Sequence, residues 1–216
     1  TCGGFCVKMS AIVRFERLLI FFGMRMNSPA FSTPTSSIPD AEHLYIQLLA
    51  QLRAHVATCA SPPVLIGVHR GGAWLAERLH ADLGMAEPLG TIDISFYRDD
   101  FATKGISANV KTTDVAIDLA GRAVILCDDI LNSGRSARAA LNEIFDFGRP
   151  ARVDLAVLFD RGGRELPVAA QFVGGVLEFD AAYKLVLERD SSSRFCFRVP
   201  RRVVQDVVDA AAEVNA

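Results

Sequence analysis

The stretch AVILCDDILNSGRSARAAL, Ala123–Leu141, decides the fold of this chain. Its apolar run predicts a buried strand, GRAVILCDD over 121–129, which ends in the adjacent acids Asp128 and Asp129. Small and polar residues follow, and SGRSARAALNEIFDFG predicts a helix over 133–148. A buried strand that ends in paired negative charge, just ahead of a loop with several hydroxyl groups, calls for a chemical explanation.

A strand-then-helix order recurs along the chain. It predicts an α/β fold with a mostly parallel, twisted sheet flanked by helices, and in such sheets ligands bind at the carboxyl ends of the strands. The long segment over 99–114 has little periodicity and predicts an exposed lid loop. The remaining predicted elements are a helix capped by Asp40, a strand over Pro62–His69, a helix over 71–84 closed by Gly84, a strand over 88–98, a strand that begins at Ala151 and leads into a Gly/Arg loop, edge strands over 170–178 and 182–190, and a C-terminal helix over 199–214.

Length and composition predict one domain in a reducing compartment. The chain has 216 residues and a formal net charge of -2, so no overall charge points to a polyanion as partner. Its five cysteines are scattered and irregularly spaced, which favours buried free thiols in the cytoplasm over a disulfide framework. The apolar run at 18–23 is too short to span a membrane. We therefore expect a flexible or non-native N-terminal extension over 1–39, a domain over 40–198 and a C-terminal helical extension over 199–216.

The acidic pair and the loop behind it predict a site for a phosphorylated sugar. Vicinal ribose hydroxyls or a divalent metal would offset the repulsion between the carboxylates of Asp128 and Asp129. Free N–H groups at the start of the following helix favour an anion, Ser133 and Ser136 add hydroxyl donors, and Gly134 permits close approach. Neither the Walker pattern nor a G-x-G-x-x-G turn is present in this stretch. The alternative is that Asp128 or Ser133 simply caps a helix.

The stretch VILCDDILNSGRSARAAL resembles the phosphoribosyl-pyrophosphate (PRPP) motif of type I phosphoribosyltransferases, with serines at positions where threonines are usual. Further segments are similar, in order and spacing, to the PyrR branch of that family, whose members are pyrimidine regulatory proteins and uracil phosphoribosyltransferases. The resemblance covers residues 40–197 and is carried by LIGVHRGGAWLAERL, GTIDISFYRDD, FGRPARVDLAVLFDRGGRELPV and AQFVGG. It implies the type I phosphoribosyltransferase fold, with a small hood and a mobile lid loop over the site.

The resemblance also implies a role for each matching residue. The ribose hydroxyls of PRPP would contact the acidic pair, which would hold Mg²⁺ indirectly, through PRPP. The implied catalytic residues are Asp128, Asp129 and Arg98. The 5-phosphate loop comprises Leu131, Asn132, Ser133, Gly134, Arg135 and Ser136, and the pyrophosphate loop comprises His69, Arg70, Gly71 and Gly72. The implied lid residues are Tyr97, Lys104 and Lys111, and the implied base pocket is Asp160, Arg161 and Gly162.

The implied reaction converts uracil and PRPP to UMP and pyrophosphate, with Mg²⁺ as cofactor and a homodimer or higher homo-oligomer as the assembly. Several alternatives stay open at this point. The chain is either such an enzyme, an RNA-binding regulator of pyrimidine genes whose site only senses UMP, or a phosphoribosyltransferase for another base.

Binding to a leader RNA needs a basic surface. The first helix has only Arg53, whereas a patch of Arg135, Arg138, Arg149, Arg152, Arg161 and Arg164 is conceivable from the sequence. Arg98 either serves the site or pairs with Asp99 or Asp100.

Overall fold

The structure is a computed structural model, and it describes residues 38–94, 113–177 and 184–199. The predicted N-terminal extension up to residue 37 and the C-terminal helix from residue 200 lie outside these ranges. So does most of the predicted lid, including Tyr97, Arg98, Lys104 and Lys111.

A parallel sheet of five strands forms the centre of the described chain, in the order β2-β1-β3-β4-β5. The chain runs from β1 outward to β2, crosses back to place β3 on the other side of β1, and then continues outward to β5. The central strands are mostly apolar because helices cover both faces, as predicted. The strands are β1 (Val64–Val68), β2 (Gly90–Ile92), β3 (Ala123–Leu131), β4 (Arg152–Asp160) and β5 (Phe172–Val173).

Within the described ranges, three helices pack on this sheet and enclose a core on each face: α1 (Ala41–Val56), α2 (Gly71–Leu83) and α3 (Arg135–Phe147). The first core contains Leu48 of α1 and Leu79 of α2, whereas the second contains Ile144 of α3. The predicted helix ends are confirmed for two helices. Asp40 caps α1 by accepting a hydrogen bond from the backbone N–H of Glu42 at 3.0 Å, and Gly84 closes α2 in the left-handed conformation.

The structure corrects the prediction most clearly in two regions. First, β3 does not end at the acidic pair but continues to Leu131, because Ile130 and Leu131 stay paired with Phe159 and Asp160 of β4. Second, the segment predicted over 182–190 is not an edge strand of the main sheet. Its residues form β6 (Val186–Arg189), which pairs antiparallel with an unpredicted strand, β7 (Phe195–Arg198), in a separate sheet.

A polar network fastens this β6–β7 hairpin to the start of α1. Glu42 accepts two hydrogen bonds from the Arg78 guanidinium, at 2.7 and 2.9 Å, and a third from the backbone N–H of Phe195 at 2.6 Å. The guanidinium lies 4.0 Å from the centre of the buried Tyr45 ring, whose hydroxyl donates to Asp82 at 2.6 Å. Burial and the Asp82 carboxylate raise the pKa of Tyr45. These contacts hold the β6–β7 hairpin against α1 and α2.

None of the helices within residues 38–94, 113–177 and 184–199 is long and apolar enough to cross a membrane.

Candidate active site

The carboxyl ends of β1, β3 and β4 bring three predicted site segments to one edge of the sheet. Since these strands are parallel neighbours, the residues that follow them emerge side by side. The chain changes direction between β1 and β3, and an open sheet of this kind has its ligand crevice at that point. We call this side of the sheet the ligand edge and the opposite side the amino edge.

The acidic pair lies near the end of β3, with its carboxylates held by the strand's own backbone. Asp128 is only 4 % exposed and accepts a hydrogen bond from the N–H of Asp129 at 3.0 Å. Asp129 is partly exposed and accepts one from the N–H of Ile130 at 3.0 Å. Among the described residues Asp129 makes no ion pair with a cationic side chain. A carboxylate placed in this way can accept hydrogen bonds from the hydroxyls of a ligand.

The predicted pyrophosphate loop follows β1 and lies directly against the acidic pair. A Cβ atom placed on Gly71 would lie 2.2 Å from Oδ2 of Asp129, and one on Gly72 would lie 2.4 Å from the carbonyl oxygen of Cys127. Only residues without a side chain allow the first turn of α2 to come this close to β3. The N–H of His69 donates to Ile92 at 2.8 Å, the His69–Arg70 peptide bond is cis, and Arg70 is exposed. The backbone of this loop is thus held beside the acids.

The starts of α2 and α3 both leave backbone N–H groups available to an anion. The N-cap residues are Arg70 and Gly134, and neither forms a side-chain cap. Neither first turn contains an acidic residue that would repel a phosphate. The N-cap position of α3 belongs to Gly134, with a φ of 91°. The Ser133 hydroxyl accepts a hydrogen bond of 3.4 Å from the N–H of Arg135, the first residue of α3, so Ser133 contributes to the start of this helix, as the capping alternative expected, without being its N-cap residue.

The predicted 5-phosphate loop contains both strand and helix residues. Leu131 is the last residue of β3 and its side chain is buried, so only its backbone faces the neighbouring loops. Asn132 is exposed, and Ser133 and Ser136 are partly exposed. Arg135 is paired with Glu165 at 2.7 Å. The structure thus brings together the predicted phosphate loop and the segment that follows β4.

The segment that follows β4 contains the predicted base pocket and two residues that sequence reasoning did not assign to the site. Both carboxylate oxygens of Asp160 accept hydrogen bonds within its own loop, one from the N–H of Gly162 at 2.9 Å and one from the guanidinium of Arg164. Arg161 is 8 % exposed. The two residues that sequence reasoning did not assign to the site are Arg164 and Glu165. They were missed because the alternating charges of DRGGRE are also typical of a solvated loop.

The segment predicted to form the lid is described only from residue 113 onward, and there it pairs with β2. Asp114 forms an antiparallel bridge with Thr91 of β2 through two backbone hydrogen bonds of 2.8 Å. The predicted lid residues Tyr97, Arg98, Lys104 and Lys111 lie outside the described residues, so their roles stay predictions.

A divalent metal fits this site only together with a ligand. Within the described residues no group of three or more His, Cys, Asp or Glu side chains could hold a metal ion. The acidic pair alone offers two carboxylates. Because Mg²⁺ usually keeps several waters and shares its coordination with substrate phosphates, two carboxylates beside a phosphate loop suit it without a complete protein cage.

Comparison with known proteins decides the family. Residues 36–185 match the family described as the phosphoribosyl transferase domain. The chain belongs to the phosphoribosyltransferase family. It is 45 % identical over 153 residues to the bifunctional protein PyrR of Pseudomonas aeruginosa, which covers 69 % of this chain and 90 % of the relative. It is 45 % identical over 167 residues to the bifunctional protein PyrR of Ralstonia nicotianae, which covers 76 % of this chain and 95 % of the relative. The predicted family and its PyrR branch are thereby confirmed.

Solved structures of phosphoribosyltransferases share the fold. The hypoxanthine phosphoribosyltransferase of Trypanosoma cruzi aligns with a TM-score of 0.57 at 20 % identity, over 85 % of this chain and 100 % of that chain. A hypoxanthine-guanine phosphoribosyltransferase of Bacillus anthracis aligns with a TM-score of 0.53 at 22 % identity, over 68 % of this chain and 86 % of that chain. At these identities the likeness confirms the type I fold and carries no information on the base.

The six arginines of the conceivable patch lie at both edges of the sheet in this phosphoribosyltransferase. Arg152 begins β4 at the amino edge and Arg161 follows the same strand at the ligand edge, which separates them by about 30 Å. Several of the six also have structural partners. Arg135 pairs with Glu165, Arg152 with Asp154 and Arg164 with Asp160, and Arg149 donates to backbone carbonyl groups at the end of α3.

Proposed function

We propose that this phosphoribosyltransferase transfers the phosphoribosyl group of PRPP to uracil, forming UMP and pyrophosphate. One observation carries the proposal: because Gly71 has no side chain, the start of α2 packs directly against Asp129, which places an uncapped helix start and the acidic pair beside each other. A sugar that carries pyrophosphate at one end and a 5-phosphate at the other fits a site with two uncapped helix starts on either side of two acids. The PyrR relatives favour uracil as the base.

Each segment has a separate task in the proposed reaction. Asp128 and Asp129 accept hydrogen bonds from the ribose hydroxyls, and residues 131–136 bind the 5-phosphate. The backbone of residues 69–72 and the exposed Arg70 bind pyrophosphate and stabilise the charge that develops on it as it leaves. The loop that starts at Asp160 borders the base, and Arg98 with the lid residues covers the site to exclude water.

The chemistry requires orientation more than covalent participation by the protein. N1 of uracil bonds to the anomeric carbon while the bond from that carbon to pyrophosphate breaks, and uracil loses its N1 proton. Holding both substrates in line lowers the entropic cost of this displacement. Mg²⁺, bound through PRPP and the acidic pair, would neutralise negative charge on the pyrophosphate.

A competition assay tests the proposed base. Purified protein is incubated with labelled PRPP and Mg²⁺, together with equal concentrations of uracil, hypoxanthine and orotate, and the nucleotide products are separated. We expect UMP as the dominant product. If inosine or orotidine monophosphate were the main product, the preferred base would be hypoxanthine or orotate and not uracil. If folded protein formed no nucleotide at all, the proposed activity would be overturned.

A second candidate function is UMP-responsive regulation of pyrimidine genes through leader RNA, which the word "bifunctional" in the relatives' names favours. The surface that would bind RNA cannot be a single patch of all six arginines, since these residues lie at both edges of the sheet. RNA binding that increases with UMP and weakens steeply with salt would support regulation. If no such binding were found, only the enzymatic function would remain. RNA binding without turnover would favour a catalytically weak sensor.

We further propose that the protein acts in the cytoplasm as a homodimer or higher homo-oligomer. Free thiols suit a reducing compartment, and Cys59, Cys127 and Cys196 are all free. Sedimentation of the full chain tests the assembly, and a monomer at every concentration would contradict it.

A further inference from the structure

The phosphate loop is held from one side by the segment Asp160–Val168, which we call the clamp loop. Three successive carbonyl groups of the phosphate loop, those of Leu131, Asn132 and Ser133, accept hydrogen bonds from it. The N–H of Arg161 donates to Leu131 at 3.0 Å, and the N–H groups of Glu165 and Leu166 both donate to Ser133 at 3.0 Å. The carbonyl group of Asn132 accepts from the Nη1 group of Arg164 at 2.6 Å.

Arg164 contributes several side-chain hydrogen bonds to this contact. Its Nη1 also lies 3.4 Å from the carbonyl oxygens of Leu131 and Gly162, and its Nε donates to the carbonyl oxygen of Val168 at 3.0 Å. Its Nη2 donates to the Asp160 carboxylate. The side chain is 26 % exposed, so its guanidinium is directed into the two loops.

This arrangement sets the polarity of the phosphate loop. A site that binds an anion through backbone groups needs its N–H groups directed at the ligand and its carbonyl groups directed elsewhere, because a carbonyl oxygen repels a phosphate. Three successive carbonyl groups accept hydrogen bonds from the clamp loop, so they are not directed at an anion bound at the start of α3. The flat guanidinium suits this task, since it donates in several directions from one rigid plane, which a lysine ammonium does not.

We infer that Arg164 is a positioning residue for the phosphate loop, which acts by holding the carbonyl groups of Leu131 and Asn132. The inference rests on the proposed function, because it assumes that this loop binds the 5-phosphate. It assigns Arg164 no contact with substrate. Its effect is therefore confined to ligands that carry the 5-phosphate and does not extend to pyrophosphate, which binds at the start of α2.

Calorimetric titration of the full chain tests this difference. Wild type, Arg164→Lys and Arg149→Lys are each titrated with ribose 5-phosphate and, separately, with pyrophosphate and Mg²⁺. Arg149 is the matched control because it also donates to backbone carbonyl groups, at the end of α3 and away from the ligand edge. Arg164→Lys is expected to weaken ribose 5-phosphate by at least about tenfold. Its pyrophosphate affinity, and both affinities of Arg149→Lys, should stay within about twofold of wild type.

Each result decides a different point. Unchanged ribose 5-phosphate affinity in Arg164→Lys overturns the inference, and so does an equal loss for both ligands, since that marks general damage. Wild-type protein that binds pyrophosphate but not ribose 5-phosphate overturns the proposed 5-phosphate site itself. If Arg164→Lys does not fold, Arg164→Gln, with its melting temperature checked, is measured in its place.

Discussion

The two edges of the central sheet use the same residue types for opposite purposes. At the amino edge, Asp154 is 3 % exposed and its carboxylate is shared between Arg152, at 2.7 Å, and His55, at 3.8 Å. At the ligand edge, Asp129 is partly exposed and accepts a hydrogen bond from the backbone of Ile130. Both are aspartates on neighbouring parallel strands, yet the first pairs with the Arg152 guanidinium and lies beside the His55 ring, whereas the second faces the start of a helix.

The difference teaches how a site can be recognised in this fold. A buried carboxylate that is already paired has little left to offer a ligand, and removing one member of its pair leaves the other uncompensated. A carboxylate that is held only by its own strand keeps accepting capacity for hydroxyl groups. The amino edge is thus built for stability and the ligand edge for binding, and the substitutions below test that division.

The largest expected effect comes from exchanging the acid at each edge for its amide. Asp129→Asn should lower kcat/KM for PRPP by about 100-fold, because the carboxylate that accepts the ribose hydroxyls is lost. Asp154→Asn should instead destabilise the fold by about 1–3 kcal/mol, because Arg152 and His55 lose a buried partner. Steady-state kinetics and urea unfolding of both variants provide the measurements.

The two variants should therefore have opposite effects on activity and stability. Asp129→Asn should unfold at the same urea concentration as wild type, and folded Asp154→Asn should keep its kcat/KM. If Asp154→Asn instead lost activity and Asp129→Asn lost only stability, the division between the edges would be refuted.

A smaller effect is expected from adding one methyl group at either end of α2. Gly71→Ala places a Cβ atom 2.2 Å from Oδ2 of Asp129, so one of them must move, and kcat/KM should fall by about tenfold. Gly84→Ala meets nothing within 4 Å but has a φ of 64°, so it should cost about 1 kcal/mol of stability and leave kcat/KM unchanged. Comparable kinetics for the two variants would show that the close approach at Gly71 does not matter.

The contact between the β6–β7 hairpin and α1 should depend on pH through Glu42. The Arg78 guanidinium, and then the N–H of Phe195, hold the pKa of Glu42 below its usual value of 4.5. The pair therefore stabilises the fold above that value, and the contribution is lost as the pH falls through the lower folded pKa. Glu42→Gln should cost about 1 kcal/mol at pH 7, with a penalty that shrinks below pH 4.5.

Urea unfolding at a series of pH values measures this penalty, with Glu77→Gln as the control. Glu77 also pairs with an arginine, Arg189, at 2.7 Å, but its side chain is 61 % exposed. A penalty for Glu42→Gln that stayed constant from pH 7 to pH 3 would show that the carboxylate charge is not responsible.

The smallest expected effect concerns the thiol beside the acidic pair. Burial, and then the charge of Asp128, raise the pKa of Cys127 to about 12, so this thiol should not react with iodoacetamide in native protein at pH 8. The exposed Cys196 serves as the internal control and should be alkylated. Peptide mass spectrometry distinguishes the two, and rapid labelling of Cys127 would mean that the ligand edge opens around it.

Particular residues show how far the sequence predicts the structure. The order of strands and helices from α1 to β5, the Asp40 cap and the end of α2 at Gly84 were predicted correctly, because each depends on residues adjacent in the chain. The end of β3 was misplaced, since the acids look like a strand terminus while pairing with β4 continues to Leu131. The β6–β7 hairpin was misassigned for a similar reason, because short apolar segments do not indicate which sheet they will join.

What the sequence determined by itself was the family, the parallel sheet and the segments that meet at its carboxyl edge, because hydrophobic periodicity and short motifs encode these locally. Only the tertiary structure decided that Gly71 faces Asp129 and that Arg164 holds the phosphate loop, since the residues of each pair lie 58 and about 30 positions apart in the chain. It also decided which aspartate is paired. Burial and charge compensation are properties of neighbours in space, and the order of residues along the chain does not specify them.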